Sequence, residues 1–265
     1  MPSQDEQFQT ECRAEINELG SDMALAACTR EWMNNANRLK YSYHFNFLGR
    51  PIIQYPQDMV AIQELIWKIK PDLIIEAGIA HGGSLVMSAS MLALLDYCDG
   101  VNNETLIDPL KPKRKVLGID VDIRAHNRMA IDQHPMASGI QMIEGSSIAP
   151  EVVREVQQIA EGYERILVLL DSNHTHDHVL SEMQAYAPLV SLGSYCVVFD
   201  TIIEDMPPTM FPDRSWGIGD NPKTAVRKYL SSHPEFEIDG DIQNKLLITV
   251  APDGYLKRVA EASES

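Results

Sequence analysis

The residues best able to do chemistry are crowded into one short run, Asp171-Ser-Asn-His-Thr-His-Asp-His178. Imidazoles and carboxylates are the side chains that ligate metals and carry protons near neutral pH. Read as a binuclear hydrolase motif, His174-Thr-His176-Asp177-His178 is one residue short of His-x-His-x-Asp-His, and that motif belongs to a β-rich sandwich that this chain does not supply. Read as a ferrous site, Asp171, His174 and His176 have the types of a two-histidine, one-carboxylate triad, but their closeness along one turn makes a facial arrangement awkward. His178 reads as an ordinary residue of the helix that follows.

A second constellation lies upstream. Asp72-Leu-Ile-Ile-Glu-Ala-Gly-Ile-Ala-His-Gly-Gly-Ser84 is an apolar run ending in an acid, then a glycine-rich turn, and Leu85 to Leu95 continues as helix. Glycines at such a turn take positive φ and let a ligand approach the backbone, and the helix start behind them offers unpaired N–H groups. The dinucleotide pattern Gly-x-Gly-x-x-Gly is not met, because the spacing is Gly78-x-x-x-Gly82-Gly83. Glu76 at the strand tip would repel a pyrophosphate. It suits a cofactor carrying an ammonium or sulfonium group, the situation of S-adenosylmethionine. Asp120, at the end of the next apolar run, is then placed to accept two ribose hydroxyls; the alternative is a structural cap.

These residues need a scaffold that brings them to one edge. Val116–Asp120, Ile140–Glu144, Arg165–Asp171 and Tyr195–Asp200 are further apolar runs ending in acids, and helical patterns alternate with them at 58–70, 85–95, 150–160, 177–186 and 222–230. The run at 165–171 is apolar throughout, as in a parallel strand buried on both faces. Phe236–Ile238, Leu246–Val250 and Tyr255–Lys257 read as closing strands. The alternation predicts an α/β, doubly wound, mostly parallel sheet with a late antiparallel edge strand. Ligands bind such sheets at the carboxyl ends of the strands, which here carry Glu76, Asp120, Glu144-Gly145-Ser146, Asp171 and Asp200. Ahead of the sheet, residues 1–20 are polar, and Leu25, Cys28, Trp32, Ala36 and Leu39 form one helical stripe behind an N-cap at Ser21.

Composition narrows the partners. A net charge of -16 opposes binding to a nucleic-acid backbone, and 45% hydrophobic with 23% charged residues is the mix of a globular protein. Cys12, Cys28, Cys98 and Cys196 have neither zinc-site nor disulfide-framework spacing. No basic-then-apolar leader is present, and no apolar run approaches membrane-spanning length, so the expectation is a cytoplasmic protein with no membrane partner. The proline-rich stretch 201–221, with Phe211 and Trp216, and the aromatic stretch 41–47 are expected to shape a small-molecule pocket.

Together, Ile75-Glu-Ala-Gly-Ile-Ala-His-Gly-Gly-Ser84, Leu170-Asp-Ser-Asn-His-Thr-His176 and Tyr195-Cys-Val-Val-Phe-Asp-Thr201 resemble the cephalosporin hydroxylase family, from about Leu48 to Lys257. That family is similar to macrolide-sugar and rhamnosyl O-methyltransferases. The resemblance implies a Rossmann-like class I methyltransferase fold with a seven-stranded sheet over 48–258, an N-terminal helical extension over 1–47 and a polar tail over 259–265. It implies S-adenosylmethionine held by Glu76, Gly78, Gly82, Ser84, Asp120, Gly145, Ser146 and Asp171, and Mg2+ held by Asp171 and Asp200. It implies His174 as general base, with Asp171 its catalytic partner, a sugar or secondary-metabolite acceptor, and a homo-oligomer. Where similar methyltransferases have a Glu-Asp pair, this chain has Phe199-Asp200, and Glu204 or Asp205 is a candidate for the missing carboxylate, the alternative being that both are exposed loop acids. A metal-dependent hydroxylase and a non-catalytic cofactor-binding module are the alternatives.

Overall fold

The computed structural model describes residues 3–261. In chain order the elements are α1 (Gln4–Ser21), α2 (Met23–Arg38), β1 (Phe45–Phe47), β2 (Arg50–Ile52), α3 (Pro56–Ile69), β3 (Leu73–Ala77), α4 (Gly83–Asn102), β4 (Lys115–Asp120) and α5 (Ala125–Asp132). They continue with β5 (Ile140–Glu144), α6 (Pro150–Ala160), β6 (Ile166–Leu170), α7 (His176–Tyr186), β7 (Tyr195–Val198), α8 (Pro222–Leu230), β8 (Phe236–Ile238), α9 (Gly240–Leu246) and β9 (Tyr255–Arg258).

Seven strands form one sheet in the order β5-β4-β3-β6-β7-β9-β8. The first five are parallel, and β9 runs antiparallel between β7 and β8. Alternate residues of the central strands feed two cores. Ile74, Val116, Leu167 and Val197 point toward the α3–α4 side, while Ile75, Leu117, Val168 and Val198 meet α6, α7 and α8. Every residue of β3 and β6 is buried, which is why β6 reads as an unbroken apolar run and β3 as one interrupted only by Glu76. The order reverses beside β3, the first strand, so the crevice at its carboxyl end is the topological switch point where α/β sheets bind ligands.

Several expectations are corrected here. Residues 4–21 form a helix, started by a capping box in which Ser3 and Glu6 each satisfy the other's backbone N–H. The second helix is capped by Asp22, not Ser21: one Asp22 oxygen accepts from Ala24 N and Leu25 N at 2.9 Å. The stripe expected to be its buried face is not; Met33 is buried, whereas Cys28 and Leu39 are exposed. The expected strand at 246–250 is the end of α9 followed by an irregular segment. Buried Asp58 takes its hydrogen bonds, accepting from Val250 N at 3.0 Å, from the Thr249 hydroxyl at 2.5 Å and from the Tyr255 hydroxyl at 2.7 Å. With Val250 N spent on Asp58 and Val250 O accepting from Ile202 N at 3.1 Å, neither group is left to pair with a neighbouring strand. Finally, α4 is long and apolar enough to cross a membrane by length and composition, with an 18-residue window of mean hydropathy 1.2. Its apolarity serves the core: Leu85, Val86, Met87, Ala89, Leu92 and Leu95 are buried within the fold.

Candidate active site

The glycine turn is held from three directions. Asp120 Oδ2 accepts from Ile79 N at 2.8 Å and Ala80 N at 3.2 Å. Arg50 donates to His81 O at 2.9 and 2.6 Å and to Asn127 Oδ1 at 3.0 Å, and Asn127 Nδ2 donates to Ala80 O at 2.9 Å. Such bracing fits a turn whose backbone is strained, with Gly78 at φ +99°, Ala80 at +46° and Gly82 at +80°. Gly78 is obligatory for space as well: a Cβ there would lie 2.1 Å from Asp171 O. The close approach puts the first motif directly against the second. Sequence reasoning missed Arg50 and Asn127, since Gly49-Arg50-Pro51 reads only as a turn and Asn127 as part of a polar helix.

Glu76 lies beneath this turn, 2% exposed. The Ser84 hydroxyl donates to its Oε1, and Ser88 Oγ lies 3.4 Å from Oε2. Burial pushes its carboxyl up to about 7, with the two serines opposing the shift. Glu76 shares a small cavity of about 20 Å³ with Gln54, Asp58 and Asp171. Asp58 spends both oxygens on Thr249, Val250 and Tyr255, so Glu76 and Asp171 are the acids left at this cavity to favour a cationic group. Asp120, in this arrangement, spends Oδ2 on the turn and accepts from Asp122 N through Oδ1 at 3.1 Å. Ser84 likewise commits its hydrogen to Glu76. Gly145 N donates to Asp120 O at 2.8 Å, placing Gly145 and Ser146 at the neighbouring strand end.

The second motif assembles as three groups. Asp171 at the end of β6, His174 in the following turn and Asp200 at the end of β7 bring ligand atoms within 4.8 Å of one another. His174 Nε2 is 3.1 Å from Asp200 Oδ2. Asp200 adopts a left-handed conformation, φ 56°. Burial pushes the Asp171 carboxyl well up, and Asp200, Glu76, Glu182 and Asp58 add repulsion. Two hard carboxylates held together against that repulsion suit a divalent cation with oxygen preference. Gln54 Nε2 donates to Asp171 Oδ2 at 2.8 Å, a positioning contact the sequence did not reveal. The Trp216 ring meets His174 edge-on, centroids 5.3 Å apart, and Phe211 packs on Trp216, so the 201–221 loop reaches this cluster.

Other candidates fall away from it. His176 faces α8, its Nδ1 2.8 Å from Thr224 Oγ1, while its backbone N donates to Asp220 Oδ1 at 2.7 Å. That removes the second histidine of a ferrous triad. Glu204 accepts from Gly219 N at 2.8 Å and from Asn221 Nδ2 at 2.5 Å, so it secures the loop into α8. Asp205 pairs with Lys223 Nζ at 2.5 Å and lines a separate groove of about 310 Å³ between the N-terminal helices and α9. Neither joins the cluster, and neither replaces the missing glutamate: opposite charge and a helix cap hold both elsewhere.

Comparison with known proteins agrees with this geometry. The family described as Rhamnosyl O-methyltransferase/CmcI matches residues 39–259. A rhamnosyl O-methyltransferase of Mycobacterium bovis is 31% identical over 204 residues, covering 76% of this chain and 73% of the relative. That of Mycobacterium leprae is 27% identical over 214 residues, covering 80% and 82%. Among solved structures, CmcI with Mg and SAM superposes with a TM-score of 0.53 at 18% identity, covering 82% of this chain and 78% of that one, which supports the fold. With the motif-bearing sheet, the glycine turn and the acid–histidine cluster all inside the matched span, the chain belongs to the rhamnosyl O-methyltransferase/CmcI family.

Proposed function

We propose that the protein is an S-adenosylmethionine-dependent, magnesium-assisted O-methyltransferase acting on a hydroxyl of a sugar or glycosylated small molecule. The observation that carries this reading is the convergence of Asp171, His174 and Asp200 beside the Glu76 cavity, where the two motifs meet. Family membership supports the reaction class, and the rhamnosyl acceptors named for the mycobacterial relatives make a deoxysugar the first acceptor to test.

Glu76 would hold the positive methionine end of the cofactor, and the braced turn would let that end approach the backbone. Asp171 and Asp200 would hold magnesium, which supplies acidification and orientation of a neighbouring pair of acceptor hydroxyls. Asp200 orients the His174 imidazole. When bound, the cofactor would supply its methyl group to the acceptor oxygen with S-adenosylhomocysteine as leaving group, and His174 would take the hydroxyl proton. The products are a methyl ether and S-adenosylhomocysteine. Trp216 and Phe211 provide an aromatic wall for the acceptor's apolar face.

The hydroxylase alternative lacks its second histidine, because His176 is bonded to α8. A cofactor-binding module without catalysis would not need a base held against Asp200. The test is incubation of the pure protein with methyl-labelled S-adenosylmethionine and a panel of rhamnosides and other glycosides, with magnesium or with EDTA. Label transfer that EDTA abolishes is expected; 2-oxoglutarate-dependent oxygen consumption in its place would refute the reading. The working setting we propose is the cytoplasm, with Cys12, Cys28 and Cys98 as thiols, and a homo-oligomer built through the N-terminal helices, which light scattering of the full chain against a chain lacking α1 would test.

A further inference from the structure

Behind the proposed cofactor crevice lies a polar network that the reaction above does not use. The Ser147 and Ser172 hydroxyls both donate to Glu182 Oε1 at 2.5 Å, although they follow β5 and β6, which are separated in the sheet by β4 and β3. Glu182 projects from α7 and its side chain is 1% exposed. Its Oε2 is buried without a hydrogen-bond partner among the described residues. His178 Nε2 lies 3.0 Å from Ser147 Oγ, 3.4 Å from Ser172 Oγ and 3.4 Å from Glu182 Oε1. The Tyr186 hydroxyl donates to Ser147 O, fixing that turn from below.

A serine hydroxyl has one hydrogen and two lone pairs. Both contacts run from a serine hydroxyl to Glu182 Oε1, so Glu182 takes the hydrogen of both serines. The Ser147–His178 contact then requires a hydrogen on His178 Nε2. What remains for a ligand is lone pairs alone. Ser147 is buried, but Ser172 is exposed, and its Cα lies 3.1 Å from where a Cβ of Gly78 would stand, at the edge of the glycine turn. Ser147 follows Gly145-Ser146, at the same end of the sheet. Ser147 and Ser172 thus both stand at the carboxyl edge of the sheet, the edge at which such sheets bind ligands.

We propose that Glu182 is a positioning residue for cofactor specificity: by holding the Ser147 and Ser172 hydrogens it makes the base subsite an acceptor surface, selecting an exocyclic amine over a carbonyl. This rests on the cofactor reading above. A site whose polar groups are locked as acceptors meets a carbonyl ligand acceptor to acceptor, and unpaired polar groups are costly.

Calorimetry with S-adenosylhomocysteine and S-inosylhomocysteine, in which a carbonyl replaces the amine, tests it. The wild-type protein is expected to prefer the adenosyl compound by about tenfold or more. In Glu182→Gln the amide can donate to the serines, freeing their hydrogens, so the preference should shrink to within about threefold with adenosyl binding still measurable. Ser172→Ala, at an exposed position, should also narrow the preference. A wild-type preference kept intact in both variants overturns the inference while leaving the cofactor reading standing. Wild-type protein that binds neither compound overturns both.

Discussion

Gln54 donates from Nε2 to Asp171 Oδ2 at 2.8 Å, from the segment between β2 and α3 across to the end of β6. Its side chain is buried, so one oxygen of the proposed metal ligand is aimed by a group with no charge and little freedom to move. Partners of this kind set ligand orientation, and their loss costs about 10–100-fold in metal affinity. Gln54→Leu should weaken magnesium binding by that order in titration calorimetry, with S-adenosylhomocysteine binding affected less. Equal magnesium affinity in wild type and variant would show that Asp171 needs no such support.

His174→Ala should lower methyl transfer by about 10²–10⁴-fold, the range for a lost general base. Cofactor affinity should stay at the wild-type level, because His174 faces Asp200 and Trp216 and makes no contact with the glycine turn. Trp216→Ala should act on the acceptor KM. Steady-state kinetics paired with cofactor calorimetry separates the two roles.

Two buried carboxyls make a pH prediction with a definite sign. Burial raises Glu76 to about 7 and Asp58 to about 6. Between the ordinary carboxylate range and those values the folded protein keeps protons that the unfolded chain has released. Stability from these groups is therefore fully present below about pH 4 and lost as pH rises through 6 and 7. The ligand-free protein should have a higher urea midpoint at pH 5.5 than at pH 8, with Glu76 alone contributing about 2 kcal/mol to the difference. Glu76→Gln should flatten that slope. S-adenosylhomocysteine, whose ammonium favours the ionised acid, should bind more tightly at pH 8 than at pH 6 in wild type, and without that gain in the variant.

Gly78→Ala should destabilise the protein and abolish cofactor binding, since the added Cβ meets the Asp171 carbonyl at 2.1 Å and φ is +99°. A loss of about 2–4 kcal/mol is the scale for overpacking combined with backbone strain. A Gly78→Ala protein that melts with wild type would require the turn to relax in a way its bracing by Asp120, Arg50 and Asn127 opposes.

Glu204→Gln should leave magnesium affinity unchanged and lower the melting temperature, because its carboxylate secures Gly219 and Asn221 at the start of α8. The measurement is calorimetry beside a thermal scan. Magnesium affinity falling tenfold would return Glu204 to the metal site.

Local patterning was enough to define the sheet. Continuous apolar stretches at Ile166–Leu170 and Leu73–Ile75 can be buried only between two helical layers. The cluster's core, Asp171 with His174, is short-range and so was visible in the chain itself; Asp200 emerged because equivalent strands end alike. Where side-chain direction decided the outcome, patterning was silent. His176 and His174 are two residues apart yet face α8 and Asp200 respectively, because a helix begins between them. Glu204 and Asp205 follow Asp200 closely but are drawn off by Asn221 and Lys223, which only packing brings near. Gln54, Arg50 and Asn127 act across dozens of residues, and long-range hydrogen bonds leave no periodic trace. The sequence by itself determined which chemistry could be present and on which edge of which sheet. The tertiary structure decided which of several equivalent acids and imidazoles face inward, because orientation follows from packing and from competing partners.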